Sequence, residues 1–284
     1  MRPSERLTAL VLVLLSAVTA LSGAVGAGPR LLVFAALLGS LALLARAGAE
    51  GGPLAALRDA APGVVVLVVF LLLQPLIEAV NPARLDATLA AADARWFGPL
   101  AEAWRGALGR PAWFTDLVYA AYWSYYLLPI SVAVMARRRH GEQALEQVMF
   151  TLLVAFYLSF LGYFLWPTSG PRVPEAAEAA VLGGGAVSEA VRAFLRSAEA
   201  TTLDAFPSGH AGISLVSVIL GARLFPRARV ALAAWGLAVS FATVYISVHY
   251  VTDVVGGVAL AGLTLLLVPP GGLGERLADT APAS

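Results

Sequence analysis

Eight long stretches of the chain carry no charged residue: 7–29, 31–45, 61–77, 117–136, 147–171, 205–222, 230–252 and 254–274. Each is between 15 and 25 residues long and strongly apolar, which matches one helical crossing of a bilayer. The apolar positions run on without the alternation of barrel strands, and a helix closes its backbone hydrogen bonds within the segment. The pattern predicts an all-α, polytopic membrane helix bundle of about eight transmembrane helices. The shortest window, 31–45, lies between Arg30 and Arg46, whose long stems reach toward the headgroups. The first window follows a charged start, as a secretory signal would. Its uncharged run is long for a signal and reads better as a retained helix.

Composition narrows the function classes. Of the 284 residues 59% are hydrophobic and 13% charged, with a mean hydropathy of +0.80. Soluble domains carry about twice that share of charge, so a soluble globular enzyme and a disordered chain are excluded. A net charge of +1 leaves no basic footprint for nucleic acid. The absence of cysteine removes disulfides, thiol catalysis and Cys-ligated metals. All 19 basic residues are arginine, so no lysine can form a Schiff base, and there are only three histidines.

Arginine placement sets the direction of the spans. With the amino terminus in the cytoplasm, the inner segments hold eleven arginines in short loops and the outer segments eight in long ones. Arg137, Arg138 and Arg139 form the strongest single anchor. Both termini are then cytoplasmic, in a plasma or inner membrane, and two long segments face outward. Residues 82–112 place Leu85, Leu89, Trp96, Leu100, Trp104 and Leu108 at helical spacing around a Gly98-Pro99 break. Such a stripe suits either a helix lying in the membrane interface or one packed on the bundle. Residues 167–207 hold short helical stretches on either side of Gly183-Gly184-Gly185. No Gly-Lys-Ser/Thr follows that triplet, so it reads as a flexible joint and not as a phosphate loop.

Three polar clusters fall at the same, outer face: Trp166 to Pro174 where the fifth span exits, Ala205 to Gly212 where the sixth begins, and Ala242 to Asp253 at the junction of the last two. This topology lets Arg172, His210, His249 and Asp253 converge. Arg172 is a permanent cation whose fork matches phosphate oxygens. Ser208 and Gly209 open a helix, whose first amides can hold an anion. His249 and Asp253 are four residues apart and share a face if that turn is helical. A carboxylate there would fix the imidazole tautomer and leave the other nitrogen free to attack. His210, from another helix, would donate a proton to the leaving oxygen. Taken singly, each group reads as an interfacial residue or a cap; their joint occurrence on one face is the signal. Asp253 in a long apolar stretch is costly unless it is used. His140, beside Arg137 to Arg139 on the opposite face, is left out, and no dense cluster of carboxylates or histidines has metal spacing.

The run Pro207-Ser208-Gly209-His210, followed by His249-Tyr250-x-x-Asp253-x-x-Gly256-Gly257, resembles the type 2 phosphatidic acid phosphatase superfamily. Pro167-Thr168-Ser169-Gly170-Pro171-Arg172 and Thr243-Val244-Tyr245 look most like its inositol phosphorylceramide synthase-like branch. The resemblance covers roughly 60–270. It implies a six-helix catalytic core with two helices added in front: 1–60 for the added pair, 61–270 for the core and 271–284 for a cytoplasmic tail. It also implies cofactor-free, metal-independent phosphoryl transfer through a phosphohistidine, with His249 as nucleophile, Asp253 its partner and His210 the acid. Two departures stand out. The broad superfamily has a Lys where this chain has Leu165, and a Ser-Arg pair where it has Ala242-Thr243. The synthase-like branch shares the Thr, so Thr243 joins the candidate phosphate contacts. The missing cations leave phosphate charge to Arg172, helix amides and an outer-loop arginine such as Arg192 or Arg196.

The expected function is therefore a membrane enzyme that takes a phosphoryl group or phospho-headgroup from a lipid at the outer leaflet. Water as acceptor makes it a phosphatase; a polyol or sugar makes it a phosphotransferase. The competing class is a non-enzymatic transporter or scaffold with a relay through Glu78, Asp253 and the histidines, although no repeated halves are visible. A vanadate-dependent haloperoxidase is disfavoured, because that chemistry needs no membrane.

Overall fold

The computed structural model of the protein describes residues 1–47, 52–198 and 201–269; the tail expected at 271–284 lies outside the described residues. Every regular element among the described residues is helical. In chain order they are α1 (Pro3–Leu21), α2 (Ala27–Ala47), α3 (Gly52–Leu71), α4 (Gln74–Val80), α5 (Asp86–Trp96), α6 (Leu100–Leu108) and α7 (Ala112–Trp123). There follow α8 (Leu127–Leu165), α9 (Glu175–Leu182), α10 (Ala186–Ala198), α11 (Gly209–Leu224), α12 (Arg229–Tyr245) and α13 (Val251–Leu267). Among the described residues, α1, α2, α3, the continuous stretch from α7 through α8 and the stretch Pro226–Tyr245 are long and apolar enough to cross a membrane. α11 and α13 are apolar and shorter. Large apolar side chains face outward on many of these helices, among them Leu32 on α2, Ile130 on α8, Leu237 on α12 and Leu266 on α13, an apolar surface that suits lipid.

α8 is not one straight rod. Its backbone leaves the helical region at Gly141 (φ +82°), and the contacts show that it doubles back. Tyr125, just before α8, lies against His210 at the start of α11, with ring centroids 4.4 Å apart. Further on, His140 Nε2 is 3.3 Å from the Leu224 carbonyl at the end of α11. Beyond Gly141 the chain returns, so that Tyr163 again faces Gly209. The two limbs thus clasp α11 from end to end.

The apolar faces form three cores. Both limbs of α8 join α11 and α12 around Val132, Leu152, Val216 and Val239. The outer side of the second limb, through Leu153 and Phe160, packs on α1 to α4. A third core ties α7 and the end of α9 to α12 through Tyr119, Leu182 and Tyr245. The end of the bundle that holds the α8 turn is laced by ion pairs. Arg2 meets Asp59 at 2.7 Å and Glu142 at 2.8 Å, Arg137 meets Asp59 at 3.0 Å, and Arg58 meets the buried Glu5 at 2.6 Å. The segments assigned to one side by their arginines are therefore together in space.

Several expectations are refined. The window 61–77 breaks after Leu71, and its end belongs to α4. The stretch 82–112 is two helices, and it packs: Trp104 stacks on Phe241 of α12 at 4.9 Å and Arg105 is buried, while Trp96 stays 76% exposed. The Gly183-Gly184-Gly185 joint is clamped, not loose. Asp116 of α7 accepts the backbone N–H groups of Gly185 at 2.8 Å and Ser188 at 2.9 Å, and Arg192 donates to the Gly183 carbonyl at 3.1 Å.

α11 and α13 cross at bare backbone. A Cβ on Gly212 would stand 2.8 Å from the Gly257 carbonyl oxygen and 2.9 Å from Leu260, and one on Gly257 would reach 3.0 Å from Ala211 and the Gly212 nitrogen. Gly257→Ala is expected to lower stability by about 1–3 kcal/mol through overpacking. Gly262→Ala on the same helix, where a Cβ has open space, should be neutral. Thermal unfolding of the detergent-solubilised variants measures both.

Candidate functional site

The three motif stretches meet at the end of the bundle away from the ion pairs. Ser208 caps α11, its Oγ accepting the Ala211 N–H at 3.2 Å. His210 thus sits in the first turn, where the amides of Gly209 and His210 have no carbonyl four residues back. The Ser208 N–H donates to the Asp253 carbonyl at 2.9 Å, which joins the starts of α11 and α13 directly.

His249 arises in the turn between α12 and α13. The Thr243 carbonyl accepts the N–H groups of Val248 at 2.9 Å and His249 at 3.1 Å. Ser247 takes a left-handed backbone (φ +58°), strained for a residue other than glycine. Buried Arg105 pins this turn: its Nη1 donates to the Tyr245 carbonyl at 2.6 Å and to Ser247 Oγ at 2.9 Å.

The spacing of four would join His249 to Asp253 on a helix, but His249 precedes the helix and the pair forms by capping. Asp253 lies in the first turn of α13 and folds back, Oδ2 accepting the Tyr250 N–H at 2.8 Å. The same oxygen stands 3.4 Å from His249 Nδ1. On its far edge, His249 Nε2 is 3.2 Å from His210 Nδ1. Asp253 is fully buried and His249 nearly so. The His210 ring lies almost parallel to Tyr122, with centroids 4.7 Å apart and 27° between planes, and also touches Tyr125 at 4.4 Å and 47°.

The candidate phosphate contacts are placed unequally. Ser208 and Gly209 form the helix start beside the histidines, as expected. Arg172 follows Gly170, whose left-handed backbone (φ +76°) brings it so close to the Val248 carbonyl that no Cβ would fit. The Arg172 guanidinium is engaged, with Nε donating to the Ser169 carbonyl at 3.0 Å and Nη2 pairing with Asp204 at 3.3 Å. The Thr243 hydroxyl turns back to the Ser240 carbonyl at 2.8 Å, so its backbone, and not its side chain, serves the histidine turn. Arg192 and Arg196 line a cavity of about 290 Å³ with Arg172, Glu175, Glu178 and Ser247. Both are tied to Glu178, at 3.9 and 3.1 Å.

Sequence reasoning missed the residues that hold the loops. Asp86 Oδ1 accepts the N–H groups of Ser169 at 2.7 Å and Gly170 at 3.2 Å. Asp93 Oδ1 accepts the N–H of Thr252 at 2.8 Å and its hydroxyl at 2.9 Å. The two carboxylates are seven apart on α5, hence on one face, and strap the first motif to the start of α13. That spacing was visible beside the Leu and Trp stripe, but nothing local said which loops it would meet.

A family model described as the PAP2 superfamily matches residues 87–267. The chain belongs to the PAP2 superfamily. The match runs from α5 to the end of α13 and takes in Arg172, His210, His249 and Asp253, with α1 to α4 ahead of it. No curated protein and no solved structure matches the chain. In this PAP2-superfamily chain, the arrangement can present one imidazole edge to an electrophile while a second imidazole faces it, with helix amides nearby for anionic oxygens.

The strap yields a prediction. Asp93→Ala removes the cap on Thr252 and is expected to cost about 1 kcal/mol, within the range for lost caps. Asp93→Asn keeps an acceptor oxygen for the same two donors and should unfold within a degree or two of the parent in a thermal melt.

Proposed function

We propose that this PAP2-superfamily protein is an integral-membrane lipid phosphatase or phosphotransferase that forms a phosphohistidine on His249. The observation that carries the reading is the line Asp253 Oδ2, His249, His210, with separations of 3.4 and 3.2 Å. With Asp253 at Nδ1, the proton stays on that edge and the Nε2 lone pair points out. That pair forms the P–N bond as the P–O bond to the leaving group breaks; the bond electrons go to the leaving oxygen, which takes a proton from His210. In the second step His210 removes a proton from water or an alcohol, whose oxygen displaces His249 from phosphorus. The nucleophile, proton donor and charge partners are all side chains, so the reading needs no metal.

Phosphorus between the rings requires the two nitrogens to stand roughly 6 Å apart or more, from near-attack and hydrogen-bond distances. Their present 3.2 Å therefore corresponds to a closed pair. The branch resemblance favours transfer of a phospho-headgroup to an alcohol, and the polar cavity beside Ser247 and Val248 offers room for a small polyol or sugar acceptor. The relay reading is weaker: Glu78 is half-exposed and paired with Arg84 and Gln74. A labelled phospholipid panel, incubated with purified protein with and without inositol, separates the outcomes by release of free phosphate or of a new phospho-alcohol. Absence of both would remove the enzymatic reading.

The two histidines should separate by leaving group. General-acid help is worth about 10²–10⁴-fold, and a weakly basic leaving group needs little of it. His210→Ala should be crippled on a lipid phosphate yet form phosphoenzyme from p-nitrophenyl phosphate, whereas His249→Ala stays inactive on both and takes up no acid-labile label. Equal defects on the two substrates in His210→Ala would remove the acid assignment.

The site faces outward on this reading, because the arginine-rich loops lie at the other end of the bundle. Cysteines placed singly at Ser169 and Arg138 in intact cells should react with an impermeant thiol reagent at 169 only. Labelling at 138 alone would invert the topology.

A further inference from the structure

We infer that Tyr122 and Tyr125 are positioning residues for His210, holding its ring and favouring its cationic form through their aromatic faces. The inference rests on the proton-donor role proposed above. A proton donor must carry its proton before the phosphoryl group arrives, and the neighbouring Arg172 cation works against a second positive charge on His210. His249 lies across the pair. Arg172, from the loop after α8, bears on His210 electrostatically, and the Asp253 carboxylate stands behind His249, on its far edge. Tyr163 approaches from α8 beside Gly209. No carboxylate contacts the His210 ring among the described interactions; its Nε2 has no hydrogen-bond partner among the described residues. What does contact the ring is aromatic. Tyr122 is 1% exposed and Tyr125 7%, and both centroids lie within 5 Å of the imidazole centroid. A cation inside about 6 Å of an aromatic face is attracted by the ring quadrupole, most strongly where water is excluded.

The placement also fits the movement the reaction needs. Tyr122 and Tyr125 come from the end of α7 and the short turn after it, and are not on the elements that carry His249, Asp253 or Arg172. When phosphorus enters and the two imidazoles part, His210 can shift along these flat faces while keeping ring contact with them. As the P–O bond breaks, His210 passes its proton to the departing oxygen and leaves the faces neutral, the state they favour less. The tyrosines thus act through His210 and touch no reacting atom.

The test replaces the ring at 122 or 125 in the full-length protein with phenylalanine, then with its 4-fluoro and 3,5-difluoro forms. Shape is nearly constant along this series while the negative face is progressively removed, so folding is not at issue. The readout that needs no activity is the titration of His210 in protein carrying ¹³C-labelled histidine. The chain has only three histidines, so the His210 signal is assigned by its loss in His210→Gln. The midpoint is expected to move to lower pH in steps along each series, by about one pH unit at full fluorination, with His140 unmoved. In parallel, turnover of dioctanoyl phosphatidic acid should fall about tenfold, and its loss with rising pH should set in earlier, while phosphoenzyme formation from p-nitrophenyl phosphate changes by less than about threefold. Phenylalanine itself should match the parent. A stationary His210 midpoint across both series overturns the inference, even if the protein is active. A moving midpoint in a protein that transfers no phosphate would leave the tyrosine contact standing and remove the catalytic reading instead.

Discussion

The site depends on one contact, the crossing of α11 and α13 with no side chains between them. Gly212 faces Gly257 at a distance that admits no Cβ, and one turn away the Ser208 N–H reaches the Asp253 carbonyl at 2.9 Å. These are the first turns of the two helices that follow the motif loops. Because the helix starts are joined by backbone, His210 on one and Asp253 on the other have a fixed separation, and His249 fits into what remains. Any side chain at the crossing would lengthen the path from imidazole to imidazole, and the 3.2 Å contact would go first.

The remaining architecture serves to keep that crossing in place from several sides. The two limbs of α8 enclose α11, α12 carries the turn that presents His249, and α5 straps the outside with Asp86 and Asp93. Arg105 on α6 holds the strained Ser247. Three of these supports, Asp86, Asp93 and Arg105, are polar side chains that satisfy backbone groups, which is how a buried loop avoids the cost of bare N–H and C=O groups. Burying Asp253 completely is expensive by itself. The Tyr250 N–H at 2.8 Å offsets part of that cost, and His249 Nδ1 stands 3.4 Å from the same oxygen, while Asp253 Oδ1 has no hydrogen-bond partner among the described residues.

How much of this was legible in the sequence divides along the same lines. The apolar windows are long and continuous, and helices follow from them directly. The pairing of Ser208 with a helix start is local capping chemistry and was equally readable. His249 with Asp253 was readable as a pair but not as a cap, because a spacing of four is the same whether the helix begins before or after the histidine. Asp86, Asp93, Arg105 and Asp204 carry no local signal of the roles they play. Their partners lie 83, 159, 140 and 32 positions away along the chain, and no periodicity encodes such distances. The aromatic contacts of His210 were hidden for a related reason: Tyr122 and Tyr125 sit in an apolar window where an aromatic residue is unremarkable until its neighbour is known.

The arrangement of cations follows from what the chain lacks. Leu165 stands where the broad superfamily has a lysine and is 51% exposed on the apolar surface, while Ala242 and Thr243 are completely buried in α12. Neither position supplies a cation here, so on the proposed reading the anion-binding charge comes from the loops. The loop arginines are each matched by an acid: Arg172 by Asp204, and Arg192 and Arg196 by Glu178. On the proposed reading, a phosphate arriving at Arg172 competes with Asp204 for the same guanidinium. On that same reading, Asp204 and the Ser169 carbonyl fix the plane of the guanidinium before phosphate comes. Lysine, a point charge with no plane to set, could not be oriented in this way.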